Sequence, residues 1–324
     1  MTSAAAILLQ AIAPPRTSRA EVAIARRAMA CDFSITLPGE TRRAVDRGIA
    51  ALDEVDRVED LLSVYRTDSA ISRLNAGETV TCPELYGILR EACRLSRLTG
   101  RAFDPAAGAL SRVWGFLHPP HRVPPPAELA DALARSGSHQ VVFDDPRHAV
   151  TFATPGVEFN LGAFGKGYAI DRALQPLRSA FMQGGRSSIK GVGAPPRDAR
   201  GWQVVLADPE DDRRPLARLW LRDRAIGTSG DAYQFFVAGG DRYGHILDPR
   251  TGRPPCRLAS ASAICHSAAQ ADALSTAFYV MGVDGTRDFL RRHPDVGAVL
   301  VRPLAECKGP RVVVLGAARV EVLS

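Results

Sequence analysis

The sequence has very little lysine and no concentrated charge of either sign. Of its 41 basic residues, only those at positions 166, 190 and 308 are lysine, and the other 38 are arginine. The 35 acidic residues leave a formal net charge of +6, and the basic residues form no run. This balance excludes the basic surface that is typical of nucleic-acid-binding proteins. It also draws attention to the lysine at position 166, which lies inside a glycine-rich stretch.

Long apolar runs and paired cysteines are missing as well. No stretch approaches the roughly 20 apolar residues that span a bilayer, so we expect no transmembrane segment. The six cysteines, at positions 31, 82, 93, 256, 265 and 307, form no CxxC pair and no zinc-finger spacing with histidine. We therefore expect free thiols rather than a disulfide framework or a zinc site.

Apolar residues make up 46% of the 324 positions, which is enough for a large core. No linker divides the chain, so we predict a flexible N-terminus at 1–25 and a single domain at 26–324. The apolar residues 4–13 have no positive charge before them, and no convincing cleavage site or lipid-carrying cysteine follows. The lack of a clear export signal favours a cytoplasmic protein.

Hydrophobic periodicity predicts helices interleaved with short strands. Helical spacing or helix-framing proline and glycine occur over 45–62, 83–99, 127–135, 269–282 and 285–292, and the stretch 161–174 passes from a loop into a helix. Strand character occurs over 27–37, in a hairpin at 140–153, in four short segments between 202 and 247, and in three strands that close the chain. Because no βαβ unit repeats, the predicted fold class is α+β with largely antiparallel sheets.

Asp272 and Thr276 lie four residues apart in a predicted helix, and so on one of its faces. A carboxylate and a hydroxyl placed in this way suit Mg²⁺, which prefers oxygen ligands. The alternative is that Asp272 caps the helix and Thr276 bonds back to a carbonyl. The pair alone favours this structural alternative.

The stretch NLGAFGKGYAID at 160–171 combines glycines, Lys166 and a helix start. Such a turn can direct backbone N–H groups and a positive charge at a phosphate. It is not a Walker A loop, because the glycine spacing is too short and Lys166 is followed by Gly167. Phosphate binding and an ordinary turn into a helix explain this stretch equally well.

Two further residues have side chains that could take part in chemistry. His245, in RYGHILDPRTGRP, is a candidate general base, although a lone histidine is more often an ordinary strand residue. Tyr65, in SVYRTDSAISRLN, could stack on a planar ring, although packing is the commoner role.

Taken together, these stretches resemble the ApbE family of FAD:protein FMN transferases. The resemblance covers roughly residues 26–302 and rests on eight motifs in the same order. In chain order they are RRAMACDFSITL, SVYRTDSAISRLN, FDPAAGAL with WGF, LGAFGKGYAID, QGGRSSIKGVG, TSGDAYQFF, GHILDPRTGRP and ADALSTAFYVMG. Eight motifs in one order are far more specific than any single motif.

The resemblance implies a T-fold-like α+β architecture and an enzyme that binds FAD and Mg²⁺. Such an enzyme moves FMN onto a threonine or serine hydroxyl of an acceptor flavoprotein and releases AMP. By position, the metal ligands would be Asp272, Thr276 and the carbonyl of Ala163, with His245 as base and Asp272 also counted as catalytic. The flavin and phosphate contacts would be Met29, Tyr65, Ala102, Phe103, Asp104, Lys166 and Ile246.

The chain departs from the family pattern at two places. MACD stands where Met-Gly-Thr is more usual, and Asn160 stands where aspartate is common. Many family members carry an export or lipoprotein signal, so the resemblance also allows a periplasmic location.

Two other functions are compatible with the same motifs. One is an Mg²⁺-dependent FAD pyrophosphatase, which would release free FMN and AMP. The resemblance implies transfer over hydrolysis, because related pyrophosphatases carry a different residue at the position of Tyr65. The other is a flavin-binding protein without catalysis, against which Asp272, Thr276 and His245 argue, since storage of FAD needs no base.

Overall fold

The computed structural model of the protein describes residues 21–39, 41–232, 234–255, 258–304 and 311–323. Most of the predicted flexible N-terminus, residues 1–20, lies outside the described residues. Residues 21–25, which the sequence grouped with that segment, belong to the first strand. Within the described ranges, no helix has the length and apolar character needed to cross a membrane.

The helices of the described ranges agree closely with the periodicity of the sequence. They are α1 (Arg42–Leu62), α2 (Ala70–Asn75), α3 (Pro83–Leu98), α4 (Gly108–Val113), α5 (Pro126–Ala134), α6 (Gly165–Leu174) and α7 (Ala268–Arg292). The helices predicted over 269–282 and 285–292 both lie within α7, which has a kink between them at Gly282, where φ is 68°. The sequence did not predict the short helices α2 and α4.

The largest sheet has eight strands, and every neighbouring pair in it is antiparallel. In spatial order its strands are β1 (Glu21–Ala28), β2 (Cys31–Pro38), β6 (Ala180–Gly184), β7 (Ser188–Val192), β10 (Arg224–Gly230), β13 (Ser260–Cys265), β14 (Gly297–Val301) and β15 (Val312–Gly316). This arrangement confirms the predicted α+β class with antiparallel sheets.

Three smaller antiparallel sheets accompany the large one. They consist of β3 (Val80–Thr81), β5 (Ala149–Phe152) and β4 (Val141–Asp144); of β16 (Val320–Val322), β9 (Pro215–Leu221) and β8 (Trp202–Ala207); and of the hairpin β11 (Phe235–Ala238) and β12 (Asp241–Gly244). Because β12 ends at Gly244, the strand predicted over 242–247 is shorter than expected, and His245 directly follows it.

The large sheet separates two apolar cores because its side chains alternate between its faces. On β10, Ile226 packs with the β8–β9–β16 sheet, whereas Ala225 faces the helices. The helix α1 buries Leu52 and Val55 in the helical core, but Ile49 is 41% exposed although the predicted stripe included it. Gly48 faces the sheet instead, where an added Cβ would lie 2.7 Å from Ile24.

Two glycines allow α7 to lie unusually close to its neighbours. A Cβ at Gly167 on α6 would lie 2.1 Å from the carbonyl oxygen of Ala268, and one at Gly227 on β10 would lie 2.5 Å from the backbone of Ala271. Any larger residue would push the elements apart, because backbone atoms cannot move aside as a flexible side chain can. The start of α7 is thereby held against both α6 and the sheet.

The hairpin that joins β1 to β2 has an unusual turn. Ala28 pairs with Cys31, so Met29 and Ala30 form a two-residue turn, with φ of 47° and 59°. Positive φ at both positions defines a turn of type I′, in which glycine is preferred. A Cβ in this left-handed region costs roughly 1–2 kcal/mol per residue. The alanine of MACD, where the related family usually has glycine, therefore makes this turn strained.

We expect Ala30→Gly to stabilise the protein by about 1 kcal/mol, because glycine adopts the left-handed conformation without strain. The free energy of unfolding from a urea titration measures this gain. The control is Ala23→Gly, at an exposed position within β1, where glycine is expected to lower stability. A loss of stability in both variants would show that the turn stores no strain.

Candidate active site

A cleft of about 1150 Å³ opens where the β1–β2 turn, the loop after α1, the start of α6 and the first turns of α7 meet. Every residue that the sequence assigned to the site lines this cleft. These residues are Met29, Tyr65, Ala102, Phe103, Asp104, Ala163, Lys166, His245, Ile246, Asp272 and Thr276. The fold thus brings together positions that are far apart in the chain, while their individual roles remain predictions.

Asp272 lies on the second turn of α7 with its carboxylate buried against the start of α6. Its Oδ2 accepts hydrogen bonds from the backbone N–H of Gly167 at 2.8 Å and from the hydroxyl of Ser188 at 2.9 Å. The residue does not cap its own helix, whose N-cap is Ser267. It bonds instead to the first turn of the neighbouring helix, which fixes the carboxylate in the cleft wall.

Burial raises the pKa of Asp272 to about 6. Loss of hydration is the main cause, because a carboxylate removed from water favours its neutral form. The positive charge of Lys166 and the hydrogen bonds from Ser188 and Gly167 oppose this shift. At neutral pH the carboxylate is ionised but poorly hydrated, which is a favourable state for binding a cation.

The hydroxyl of Thr276 lies one turn further along α7. Its Oγ1 donates to the carbonyl of Asp272 at 3.3 Å, as the structural alternative predicted, and it also lies 3.0 Å from the hydroxyl of Ser229. Ser229 in turn contacts Ser275 at 2.8 Å. The hydroxyl group is therefore held in place, and an oxygen lone pair remains for a ligand, because a hydroxyl accepts as well as donates.

Ala163 lines the same cleft and lies just before Phe164, the N-cap of α6. Its carbonyl therefore stands outside the hydrogen-bond ladder of the helix. Gly167 is the third residue of α6, so its N–H has no partner within the helix, and it donates to Asp272. The carboxylate of Asp272 thus satisfies a free N–H at the start of α6, and the carbonyl of Ala163 remains a predicted metal ligand.

The donor set fits Mg²⁺ better than a softer metal. A carboxylate, a hydroxyl and a backbone carbonyl are all hard oxygen ligands, and Mg²⁺ usually takes one or two carboxylates and completes its shell with water and substrate phosphates. In the part of the chain that the structure describes, no cluster of three or more His, Cys, Asp or Glu side chains could hold a metal by itself. A cation here would complete its shell with water or with oxygen atoms of a substrate.

Asp171 holds the N-terminus of α7, the helix that carries Asp272, and no role was predicted for it from the sequence. Its carboxylate accepts hydrogen bonds from the backbone N–H groups of Ala268 and Ala269 at 2.9 and 3.1 Å, and from Ser267 Oγ at 2.7 Å. Lys190 Nζ donates to it at 2.6 Å. It thereby ties the N-terminus of α7 to α6 and β7. Its position four residues after Gly167, on the same helix face, is the signal that could have revealed it.

Lys166 is the second residue of α6, and its ammonium group lies at the positive end of that helix. Its Nζ donates to the carbonyl of Gly162 at 3.3 Å. The charge also acts on Asp272 and on His245, whose pKa values it lowers. Lys166 therefore supplies positive charge that acts on both the carboxylate and the imidazole.

His245 follows the β11–β12 hairpin and lines the cleft. Its Nδ1 lies 3.1 Å from the carbonyl of Gln234. A carbonyl can only accept, so Nδ1 carries the hydrogen and Nε2 carries the free lone pair. Burial lowers the pKa of His245 below its usual range. The imidazole is therefore neutral near pH 7 and able to accept a proton at Nε2.

An apolar part of the cleft adjoins these polar groups. Ala102, Phe103 and Ile246 are buried in its wall. Tyr65 is 66% exposed at the mouth, and its ring meets His118 edge to face with centroids 6.2 Å apart. An edge contact leaves ring surface for stacking, so this part of the cleft suits a planar aromatic ligand.

Asp104 lines the cleft, but its carboxylate serves the protein itself. It accepts hydrogen bonds from the N–H groups of Ala106 and Ser138 and from the hydroxyls of Ser96 and Ser138, at 2.9–3.2 Å. A carboxylate with so many internal donors shapes the loop that carries Ala102. Any contact of Asp104 with a ligand would come from the backbone of this loop.

Asn160, the second departure from the family pattern, has a local role. Its Oδ1 accepts from the N–H of Gly162 at 3.0 Å, and its own N–H donates to the carbonyl of Pro105 at 2.8 Å. This Asx turn arranges the chain before Lys166. The neutral amide makes the same bond that a carboxylate would make, without adding a negative charge to the cleft.

Comparison with known proteins gives a consistent result. The model of the ApbE family matches residues 29–300. The FAD:protein FMN transferase of Treponema pallidum is 31% identical over 308 residues, covering 88% of this chain and 84% of that protein. The FAD:protein FMN transferase of Vibrio cholerae is 32% identical over 247 residues, covering 71% of this chain and 72% of that protein.

Solved structures agree with these sequence relatives. The ApbE protein of Thermotoga maritima superposes with a TM-score of 0.80 at 31% identity, covering 87% of this chain and 94% of that one. The flavin transferase ApbE of Vibrio cholerae gives a TM-score of 0.77 at 26% identity, covering 92% and 97% of the two chains. Since the family model spans most of the sequence and the fold is shared, the chain belongs to the ApbE family.

Proposed function

We propose that the protein is an FAD:protein FMN transferase that uses Mg²⁺. It transfers the FMN part of FAD to a threonine or serine hydroxyl of an acceptor flavoprotein and releases AMP. The observation that carries this proposal is the meeting of Asp272, Thr276, Lys166 and His245 in one cleft that also has an apolar wall. A diphosphate and a planar ring are the two parts of FAD that such a cleft accommodates.

Asp272, Thr276 and the Ala163 carbonyl would hold the magnesium ion. When bound, Mg²⁺ neutralises charge on the diphosphate oxygens of FAD and makes the phosphorus more susceptible to attack. Asp171, by fixing the start of α7, keeps the Asp272 carboxylate in position for the ion.

Lys166 and His245 bind the phosphate oxygens and remove the proton of the acceptor hydroxyl, respectively. The ammonium group of Lys166, at the start of α6, binds phosphate oxygens and stabilises the negative charge of the transition state. Nε2 of His245 takes the proton from the acceptor hydroxyl, and the oxygen of that hydroxyl forms a bond to the phosphorus of the FMN part. The bond from that phosphorus to the oxygen of AMP breaks, and AMP leaves with the bonding electrons.

The proposal is tested by incubating the protein with FAD, Mg²⁺ and a protein extract of source cells that lack this enzyme. A band that keeps flavin fluorescence after denaturing electrophoresis, together with AMP in the supernatant, is the expected result. Free FMN and AMP without a fluorescent band would mean that the protein is a pyrophosphatase. Unchanged FAD would mean that it only binds the flavin.

We expect Lys166→Ala to weaken FAD binding about tenfold or more in the presence of EDTA, since hydrogen bonds to charged groups contribute roughly 1.5–3 kcal/mol. Binding is measured by the quenching of flavin fluorescence. Arg172→Ala is the control, because Arg172 lies on the same helix but pairs with Glu54 at 3.1 Å. If both variants bind FAD as tightly as the wild type does, Lys166 does not bind the phosphates and the glycine-rich stretch is an ordinary turn into a helix.

A further inference from the structure

The turn between β6 and β7 places Arg186 in the wall of the cleft. The sequence motif QGGRSSIKGVG contains this arginine, yet no role follows for it from the functional proposal above. The backbone of the turn is fixed on both sides. The N–H of Gly185 donates to the carbonyl of Asp32 on β2, and the N–H of Thr228 on β10 donates to the carbonyl of Ser187, both at 2.8 Å. The backbone that carries Arg186 is therefore held in place.

The guanidinium of Arg186 lacks a partner within the described part of the chain. Its Nη1 is fully buried and makes no hydrogen bond there. Arg135 and Arg218 also have a buried, unbonded nitrogen, Nε in each case, but both of these arginines pair with a carboxylate through another nitrogen. Among these three, Arg186 alone has neither a hydrogen bond at the buried atom nor an ion pair with a described residue.

The other two arginines that line the cleft each have a carboxylate partner. Arg27 lies 3.8 Å from the carboxylate of Asp32, and Arg66 pairs with Asp60. A buried N–H without an acceptor costs roughly 1–3 kcal/mol, and more for a charged group. A guanidinium without a partner among the described residues, carried by a fixed backbone turn in the cleft, is therefore suited to an anion that arrives with a ligand.

We propose that Arg186 is a further substrate-binding residue and that it binds a phosphate group of the dinucleotide substrate. The flat guanidinium has paired donors that match two oxygens of a phosphate, which a lysine ammonium cannot reproduce. Arg186 is two residues from Ser188, which bonds to Asp272, so the phosphate would be held at the end of the cleft where the carboxylate lies. The inference that the ligand is a dinucleotide rests on the proposed function. The inference that Arg186 binds a phosphate group rests on the surroundings of Arg186 itself.

Titration calorimetry in EDTA tests this proposal without any turnover. The ligands are FAD, FMN, AMP, inorganic diphosphate and riboflavin, and the variants are Arg186→Met and Arg186→Lys. We expect Arg186→Met to bind FAD and inorganic diphosphate about 10- to 100-fold more weakly and riboflavin normally. Arg186→Lys is expected to recover only part of the loss, because it restores the charge but not the paired donors.

The FMN and AMP measurements identify which phosphate Arg186 contacts. The ligand that Arg186→Met binds more weakly than the wild type does is the one that carries this phosphate. The control is Arg27→Met, which removes a cleft arginine that already has a carboxylate partner and is expected to change diphosphate affinity less than twofold. Unchanged affinity of Arg186→Met for FAD and diphosphate would overturn the proposal. An equal loss for riboflavin would also overturn it, because it would indicate damage to the cleft rather than loss of a phosphate contact.

The outcome for Arg186 is separable from that for the transferase activity. If the wild-type protein binds inorganic diphosphate but not FAD, the proposed function fails, and the diphosphate measurement on Arg186→Met still decides the role of this residue. Thermal unfolding of each variant confirms that it is folded before binding is compared.

Discussion

Replacing Asp272 with asparagine is expected to lower kcat/KM for FMN transfer by at least ~10²-fold, since a bound metal supplies several kcal/mol of charge stabilisation. The amide oxygen can still accept the hydrogen bonds from Gly167 and Ser188, so the fold is expected to survive. Initial rates over a range of Mg²⁺ concentrations measure the effect. Asp288→Asn, an exposed aspartate on the same helix that pairs with Arg291 at 2.7 Å, is the matched control.

The pH dependence of stability gives a second measurement on the same variant. In EDTA, the folded-state pKa of about 6 for Asp272 exceeds the ordinary value of 3.8, so the folded protein holds the proton more strongly than the unfolded chain. The free energy of unfolding contributed by this group is therefore highest below about pH 4 and falls as the pH rises through 6. Asp272→Asn is expected to remove this dependence. In the kinetic experiment, normal turnover of Asp272→Asn at the Mg²⁺ requirement of the wild type would contradict the assignment of Asp272 as a metal ligand.

His245→Asn is expected to lower the rate of FMN transfer by ~10²- to 10⁴-fold, the range for loss of a general base. An asparagine amide can still donate to the carbonyl of Gln234, but it cannot accept a proton. The binding of FAD and Mg²⁺ is expected to change little. His266→Asn is the matched control, because the Nδ1 of His266 also bonds to a backbone carbonyl, that of Asp223 at 3.0 Å, but His266 does not line the cleft.

The pH profile of transfer separates His245 from Asp272. Burial lowers the pKa of His245, so the acidic limb that it causes lies below pH 6.5. Protonation of Asp272 competes with Mg²⁺, so a limb due to Asp272 moves to lower pH as the Mg²⁺ concentration rises. At saturating Mg²⁺ the limb of the wild type is expected to remain and that of His245→Asn to disappear. A limb that persists unchanged in the variant would assign the base to another group.

The sequence predicted the local elements of the fold well because their signals are local. Proline at position 83 and glycine at position 100 frame α3, and the Asp-Pro turn at 144–147 separates β4 from β5. The order of strands in the large sheet was not predictable in the same way. Strand β2 pairs with β6, for example, across more than 140 residues, and no local pattern specifies such a partner.

For the site, motif order predicted which residues would meet but not how they are held. The spacing of Asp272 and Thr276 predicted a shared helix face, yet only the packing of α7 against Gly167 shows that the carboxylate is buried. Asp104 is predicted to contact the ligand, and the sequence did not show that its carboxylate accepts hydrogen bonds from Ser96 and Ser138. Burial and internal hydrogen bonding depend on tertiary contacts, which a single sequence does not display.

The most direct test of FMN transfer is the intact mass of a purified acceptor flavoprotein after incubation with this protein, FAD and Mg²⁺. We predict a mass increase equal to FMN less one water, with one AMP released for each acceptor modified. An acceptor in which the target threonine or serine is replaced by alanine should gain no mass. Release of AMP together with free FMN, while the mass of the intact acceptor stays unchanged, would contradict the proposed transfer.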